Sequence, residues 1–398
     1  MAMDNKERRN ILVTCGPGLV EYLMGEIEQL GFPIIDSHKG GVITKGSLID
    51  CMKLNLYLRT AYNVLFLLKE FRCGSPEALY KQVNILPWEK IIDPDNYLCV
   101  LSRVDTYSIN NSMFPNLKVK DAICDRLMKK MGTRPDSGPD RHKVVVNLFW
   151  KKENAWLYLN TSGMKISDRN YRKMPHKAPL RECLAAGLLM AAGYDGSQHL
   201  VLPMCGSGTL AIEAAMIAQN RAAGLLRSNF GFMHLLSFDE DAYKQMRVDA
   251  RKMSDRKGLQ KKIIATDIDP AAIKAALQNA MTAGVEHLID FGVCDFADTE
   301  VPEGDGGIVL LNPEYGERLG ETEELEKLYK WIGDFFKQSC PGYSGYIFTG
   351  NMDLAKKVGL KAARRMIFFN GNIECRLLKY ELYSGTRQID KQADVEEE

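Results

Sequence analysis

Two short apolar runs, each broken by a tight turn, constrain this chain more than any other feature. His199-Leu-Val-Leu-Pro203 runs into Met204-Cys-Gly-Ser-Gly-Thr209, and Gly307-Ile-Val-Leu-Leu311 runs into Asn312-Pro-Glu-Tyr315. Five-residue apolar runs bounded by turn residues read as strands buried on both faces. The surrounding pattern alternates from residue 179 onward. It reads as helix 180–193, strand 199–203, helix 209–219, a mostly helical stretch 238–257, strand 263–267 and helix 270–283. Strands 288–293 and 307–311, helix 322–338 and strand 345–349 complete it. This rhythm predicts an α/β domain with a mostly parallel sheet and helices on both faces. Ligands of open α/β sheets sit at the carboxyl ends of the strands, and both turns occupy such ends.

The N-terminal part has a different rhythm. Strand 11–14, helix 18–30, strand 41–44 and helix 47–60, with Ser47 as N-cap, come first. Strand 63–68, helix 79–84, strand 97–102 and helix 118–131 follow, then a hairpin of 143–150 with 155–159. At 398 residues, two or three domains are expected. No apolar run reaches the length of a membrane-spanning helix. The charged start lacks a signal-peptide core, so a cytoplasmic protein is expected. Ten cysteines without a Cys-x-x-Cys pair suggest reduced thiols and neither a metal site nor a disulfide framework. Charge is uneven. Residues 101–180 carry 16 lysines and arginines against 7 acids, whereas 181–398 carry 25 against 32. The basic middle suits a phosphate backbone, and equally a solvated surface.

Gly206 and Gly208, between a strand and a helix, let the backbone pass close under a ligand with helix N–H groups facing it. With Ala211 they complete a Gly-x-Gly-x-x-Ala pattern suggestive of dinucleotide binding. That reading needs an acid about 20 residues on, and residues 220–237 contain none. The next acid at a strand end is Asp267. It is placed for ribose hydroxyls if the intervening chain makes an inserted helical excursion. Asp295, after strand 289–293, is placed to accept from an adenine amino group, with Phe296 beside the ring. At the other turn, the Asn312 side-chain oxygen and the Pro313 carbonyl can accept from an exocyclic amine, and Tyr315 can stack on its ring. An ordinary Asx-Pro turn with a packed tyrosine is the plain alternative. Together the turns suggest an S-adenosylmethionine-dependent methyltransferase acting on a nucleobase amino group.

The chain resembles the THUMP-domain-containing rRNA guanine-N2 methyltransferases, loosely described as N6-DNA methylases. Cys15-Gly-Pro-Gly-Leu19 with Glu21, Asn55-Leu-Tyr-Leu-Arg-Thr-Ala61, Leu86-Pro-Trp88 and Lys120-Asp-Ala-Ile123 resemble its N-terminal and THUMP regions. Asn160-Thr-Ser-Gly163 with Tyr171-Arg172 resembles the join to its catalytic part. Ala178-Pro-Leu-Arg-Glu182, Cys205-Gly-Ser-Gly-Thr209, Asp267-Ile-Asp-Pro270 and Tyr315-Gly-Glu-Arg-Leu319 look like its catalytic motifs. Thr349-Gly-Asn351 and Asn370-Gly-Asn-Ile-Glu-Cys-Arg376 complete the pattern.

The resemblance implies an N-terminal α+β ferredoxin-like region over 1–65 and a THUMP RNA-binding domain over 66–165. A Rossmann-like methyltransferase domain over 166–386 and an acidic tail over 387–398 follow. The implied cofactor-binding residues are Pro179, Leu180, Cys205, Gly206, Ser207, Gly208, Thr209, Asp267, Ile268, Asp269, Asp295, Phe296 and Asn312. The implied catalytic residues are Asn312, Pro313 and Tyr315, with no metal. S-adenosyl-L-methionine is the expected donor and structured RNA, 23S rRNA, the expected partner. Three departures stand out. Leu202 replaces the family's aspartate, which would contact the methionine end of the cofactor. Glu314 replaces the second proline of Asn-Pro-Pro-Tyr. Residues 230–236 lack the acidic and tryptophan residues expected there. These departures keep open a catalytically weakened RNA-binding or ribosome assembly factor, and the tetrapeptide keeps open a DNA adenine-N6 methyltransferase.

Overall fold

The computed structural model describes residues 4–107, 109, 113–174, 179–254, 259–304, 306–315 and 322–383. The tail expected over 387–398, residue 178 and residues 316–319 of the Tyr315 motif lie outside the described residues. The chain forms two units. Met1–Tyr171, Arg181–Gly187 and Asn220–Arg256 make the first, and Arg172–Leu180, Leu188–Gln219 and Lys257–Glu398 the second.

In the first unit, strands β1 (Arg9–Cys15), β2 (Ile34–His38), β3 (Gly41–Gly46), β4 (Ala61–Arg72), β5 (Tyr97–Asp105), β6 (Asp136–Ser137), β7 (Val144–Lys151) and β8 (Asn154–Asn160) form one sheet in the order β2-β3-β1-β4-β8-β7-β5-β6. Helices α1 (Val20–Gln29), α2 (Leu48–Tyr57), α3 (Pro76–Asn84) and α4 (Met113–Met131) alternate with the strands. Ser47 starts α2 as expected, in a capping box with Asp50 that satisfies two helix N-terminal donors. β2 was not expected, because only its first residue is partly buried and an exposed edge strand carries no apolar alternation. β4 runs four residues past the expected end at 68, its polar residues Lys69, Glu70 and Arg72 held in register by β8. α4 begins five residues before the expected 118.

The second unit follows the alternating rhythm. α5 (Glu182–Ala191), whose residues up to Gly187 belong to the first unit, leads to β9 (His199–Pro203) and α6 (Thr209–Ala218). Residues 220–256 then depart to the first unit, carrying α7 (Glu240–Met253) with them. This is the inserted excursion that the distance from Gly208 to Asp267 required. Phe230, Phe232 and Tyr243 of the insert bury as one aromatic cluster, with the half-buried Phe238 against it. Phe230, Phe232 and Leu235 of the 230–236 stretch therefore serve the first unit's core.

The chain resumes with β10 (Ile263–Asp267), α8 (Pro270–Ala283), β11 (Ile289–Val293), β12 (Gly307–Leu311), α9 (Thr322–Ser339), β13 (Ser344–Thr349), α10 (Met352–Lys357), β14 (Arg364–Asn370) and β15 (Ile373–Glu381). The sheet order is β11-β10-β9-β12-β13-β15-β14. Five strands are parallel, and β14 and β15 add an antiparallel hairpin at one edge that the alternation had not indicated. Alternate residues serve opposite faces. Val201, Ile264, Val309, Leu311 and Ile347 bury against Leu325, Tyr329, Ile332 and Phe336 of α9. The winding steps outward from β9 through β10 to β11, then returns to β12 on the other side of β9. The carboxyl ends of β9 and β12 therefore flank the switch point, where open α/β sheets bind their ligands.

Candidate functional site

The turn after β9 is built from backbone that few residues tolerate. Met204, Gly206 and Gly208 all have positive φ, at 58°, 54° and 79°. Left-handed backbone at a non-glycine residue costs about 1 kcal/mol or more and concentrates at functional sites. The two glycines differ in role. A Cβ on Gly206 would meet nothing, whereas one on Gly208 would lie 2.8 Å from the Ala276 Cβ of α8. Gly208 starts α6 and lets it pack close to α8. Among the expected cofactor-binding residues, it does not line the cleft described below.

Asp267, at the end of β10, anchors this turn. One carboxylate oxygen accepts the Gly206 N–H at 2.9 Å and the other accepts the Asp269 N–H at 3.0 Å. Asp269 caps α8 by accepting from Ala271 N–H, and Asp295 likewise accepts from Ala297 N–H. Each acid thus holds the strand-end turn it belongs to. A carboxylate has further lone pairs for a ligand.

A cleft of about 490 Å³ opens over these turns. It is lined by Pro179, Leu180, Cys205, Gly206, Ser207, Thr209, Asp267, Ile268, Asp269, Asp295, Phe296, Asn312, Pro313 and Tyr315. Sequence reasoning named all of these as site residues and missed Met204, Leu210, Leu328, Trp331 and Asn370. Glu314 also lines the cleft. Phe296 sits mainly in the core, edge-on to Phe335 at 5.9 Å. Leu202 is 1% exposed within β9 and does not reach the lining. Among the described residues, the ionisable side chains of the lining are acids, a thiol and a phenol, with no lysine, arginine or histidine. Burial, with Asp267 beside it, pushes the Cys205 thiol pKa up. Among the described residues no group of three or more His, Cys, Asp or Glu is placed to hold a metal ion. All ten cysteines are free thiols.

At the end of β12 the Asn312 Oδ1 is buried and has no hydrogen-bond partner among the described residues. An unpaired buried carbonyl oxygen costs about 1–3 kcal/mol. Tyr315 is held from three sides. The Asn351 side chain donates to its carbonyl at 3.4 Å, and the Asn370 side chain donates to its hydroxyl at 2.9 Å. Gly350 gives its ring room, since a Cβ there would lie 3.2 Å from it. The two motifs at 349–351 and 370–376, whose roles the sequence left unassigned, thus converge on Tyr315.

Two further residues brace the turn from behind. Arg172 donates to Thr209 Oγ1 at 3.1 Å and to the Leu180 carbonyl at 2.7 Å. Asn279 is fully buried; its Oδ1 accepts from Lys173 and Met174 N–H, and its Nδ2 donates to the Met174 and Ser207 carbonyls. Asn279 carried a legible signal. It falls on the stripe Ala272, Ala275, Ala276, Ala280, Ala283, which α8 buries. A lone polar residue in an apolar stripe implies buried partners.

Comparison with known proteins agrees with this architecture. Residues 10–65 match the RlmL ferredoxin-like domain, 73–160 the THUMP domain and 169–379 the RMKL-like methyltransferase domain. The chain is 36% identical over 378 residues to the ribosomal RNA large subunit methyltransferase K/L of Syntrophotalea carbinolica, across 93% of this chain and 53% of that protein. It spans about half the length of such relatives. A Synechocystis protein provisionally named an RNA methyltransferase is 31% identical over 94% of this chain and 97% of its own length. The crystal structure of SMU.472, provisionally a methyltransferase and solved with S-adenosylhomocysteine, superposes with a TM-score of 0.85 at 28% identity, over 96% of this chain and all of that one. The chain belongs to the RMKL-like methyltransferase family, with a Rossmann-like α/β domain carried behind ferredoxin-like and THUMP domains.

Proposed function

We propose that this protein is an S-adenosylmethionine-dependent RNA methyltransferase that modifies the exocyclic N2 of a guanine in 23S rRNA of the large ribosomal subunit. The observation that carries the reading is the buried Asn312 Oδ1, without a hydrogen-bond partner among the described residues, on a side chain lining a cleft whose other strand ends bear a glycine turn and two carboxylates. An acceptor left without a partner is suited to an N–H that arrives with a ligand. The lining fits the cofactor. Its charged side chains among the described residues are acidic, which suits a sulfonium, and Gly206 leaves open space above the turn.

S-adenosylmethionine, when bound, supplies a methyl group on positively charged sulfur for direct transfer to a nitrogen nucleophile. Asp267 is placed to accept from ribose hydroxyls and Asp295 from the adenine amino group. Asn312 Oδ1 and the Pro313 carbonyl would accept the N–H groups of the target amine and so orient its lone pair, and the proton released on N-methylation would pass to solvent. Tyr315, clamped by Asn351 and Asn370, offers a fixed ring for the flipped base. Glu314 supports guanine as the base. Guanine presents N1–H beside its amine, which a carboxylate can accept, whereas adenine presents a lone pair there, which a carboxylate repels.

The match to a THUMP domain at 73–160 and the exposed cations Lys129, Lys130, Arg134, Lys143, Lys151 and Lys152 support a structured RNA partner. We place the domain limits at 1–65, 66–165, 166–386 and 387–398, and the protein in the cytoplasm where such RNA resides. The test is calorimetric titration with S-adenosylmethionine, then tritiated-methyl transfer to total RNA with nucleoside mapping. N2-methylguanosine in 23S rRNA is expected. No binding at millimolar cofactor, or N6-methyladenine in DNA as the product, overturns the reading.

A further inference from the structure

Trp331 is 59% exposed although it lines the cleft, and it is the only tryptophan in the second unit. The other three, Trp88, Trp150 and Trp156, belong to the first unit. Trp331 lies on α9 one turn before Phe335, which packs edge-on against Phe296. Residues i and i+4 share a helix face, about 6 Å apart along the axis. Leu328, three residues earlier on that face, lines the cleft as well. α9 therefore sets an indole and a leucyl side chain in the lining, on the helix face whose Phe335 packs against Phe296, the residue next to Asp295.

We propose that Trp331 stacks on the adenine ring of the cofactor, opposite the edge on which Asp295 accepts the adenine amino group. The proposal rests on the S-adenosylmethionine reading of the cleft. Its physical basis is the cost of leaving a large aromatic surface in water and the gain when a second π-face covers it. An aromatic at this place takes any purine face, and the Asp295 carboxylate selects one with an amino group. Trp331 is thus a binding residue for the donor and has no part in aligning the target amine.

The test uses the full-length protein and selective tryptophan excitation. Titration with S-adenosylhomocysteine, or with adenosine alone, is expected to change the emission, and methionine alone to leave it unchanged. Trp331→Phe is expected to abolish the change while the protein still binds S-adenosylhomocysteine by calorimetry. Trp331→Ala is expected to raise the Kd roughly 10-fold, as loss of one base–aromatic stack does. Because the side chain is exposed, both variants are expected to keep the wild-type melting temperature. Calorimetric binding by wild type with an unchanged Kd in Trp331→Ala overturns the stacking and leaves the cofactor reading standing. An emission change driven by guanosine monophosphate in place of adenosine assigns Trp331 to the target base and overturns it too. Absence of S-adenosylhomocysteine binding to wild type overturns the cofactor reading itself, and the stacking with it.

Discussion

Replacing Asn279 by alanine tests whether the glycine turn is a preformed cradle that depends on a brace behind it. The amide makes four hydrogen bonds, at 2.9 and 3.0 Å through its oxygen and 3.0 and 3.2 Å through its nitrogen. Its orientation is fixed by its partners, since a flipped amide would set donor against donor and acceptor against acceptor. Three of the four bonds are partly exposed, so truncation lets water replace them at about 0.5–1 kcal/mol each. The bond to the Ser207 carbonyl is buried, and its loss costs about 1–2 kcal/mol. The expected total is about 2.5–5 kcal/mol. For a unit of this size that lowers the melting temperature by about 5–20 °C. Calorimetric unfolding of the full chain gives the first number. Hydrogen exchange gives the second, because the Lys173 and Met174 amides are expected to lose protection. S-adenosylmethionine affinity is expected to fall as well, since Ser207 lines the cleft. A melting temperature within about 2 °C of wild type, with both amides still protected, refutes the brace.

Asn312→Ala is expected to leave the cofactor Kd unchanged while methyl transfer to rRNA falls on the order of 100-fold, as a lost hydrogen bond of about 2–3 kcal/mol in the transition state implies; parallel calorimetry and tritium incorporation separate the two effects, and equal losses in both refute the assignment. RNA affinity is expected to drop about 1,000-fold between 50 and 200 mM salt, as six phosphate contacts predict, and a flat salt dependence in a filter-binding assay speaks against the basic surface. Leu202→Asp is expected to lower the melting temperature by several degrees, because it sets a carboxylate within a fully buried strand. If it melts like wild type and binds S-adenosylmethionine more tightly, the side chain at 202 reaches the cleft after all.

The strand-end residues were legible because a parallel sheet aligns chemistry that the sequence spaces far apart. Cys205, Asp267, Asp295 and Asn312 each follow an apolar run, and four such runs in one sheet bring their ends to one side. The edge hairpin was not legible, since Arg364–Asn370 and Ile373–Glu381 mix charged and apolar residues without a crossover helix between them. It matters for function all the same, because Asn370 at its turn reaches back to the Tyr315 hydroxyl.

The two glycines show the limit most clearly. Gly206 and Gly208 look equivalent as letters in one motif, yet one leaves open space above the turn and the other admits a helix. What separates them is Ala276, 68 positions beyond Gly208, and a neighbour of that kind exists only once α6 and α8 pack. The same holds for Asp267. Its strand-end position suggests a ligand for ribose, and in the fold its carboxylate already receives the Gly206 and Asp269 N–H groups. An acid that both shapes the turn and lines the cleft is expected, on the proposed reading, to couple cofactor affinity to turn geometry. Asn312 is the opposite case. Its acceptor has no hydrogen-bond partner among the described residues, and an acceptor that the fold leaves without such a partner is the one whose removal is expected to report on the ligand with least cost to the fold.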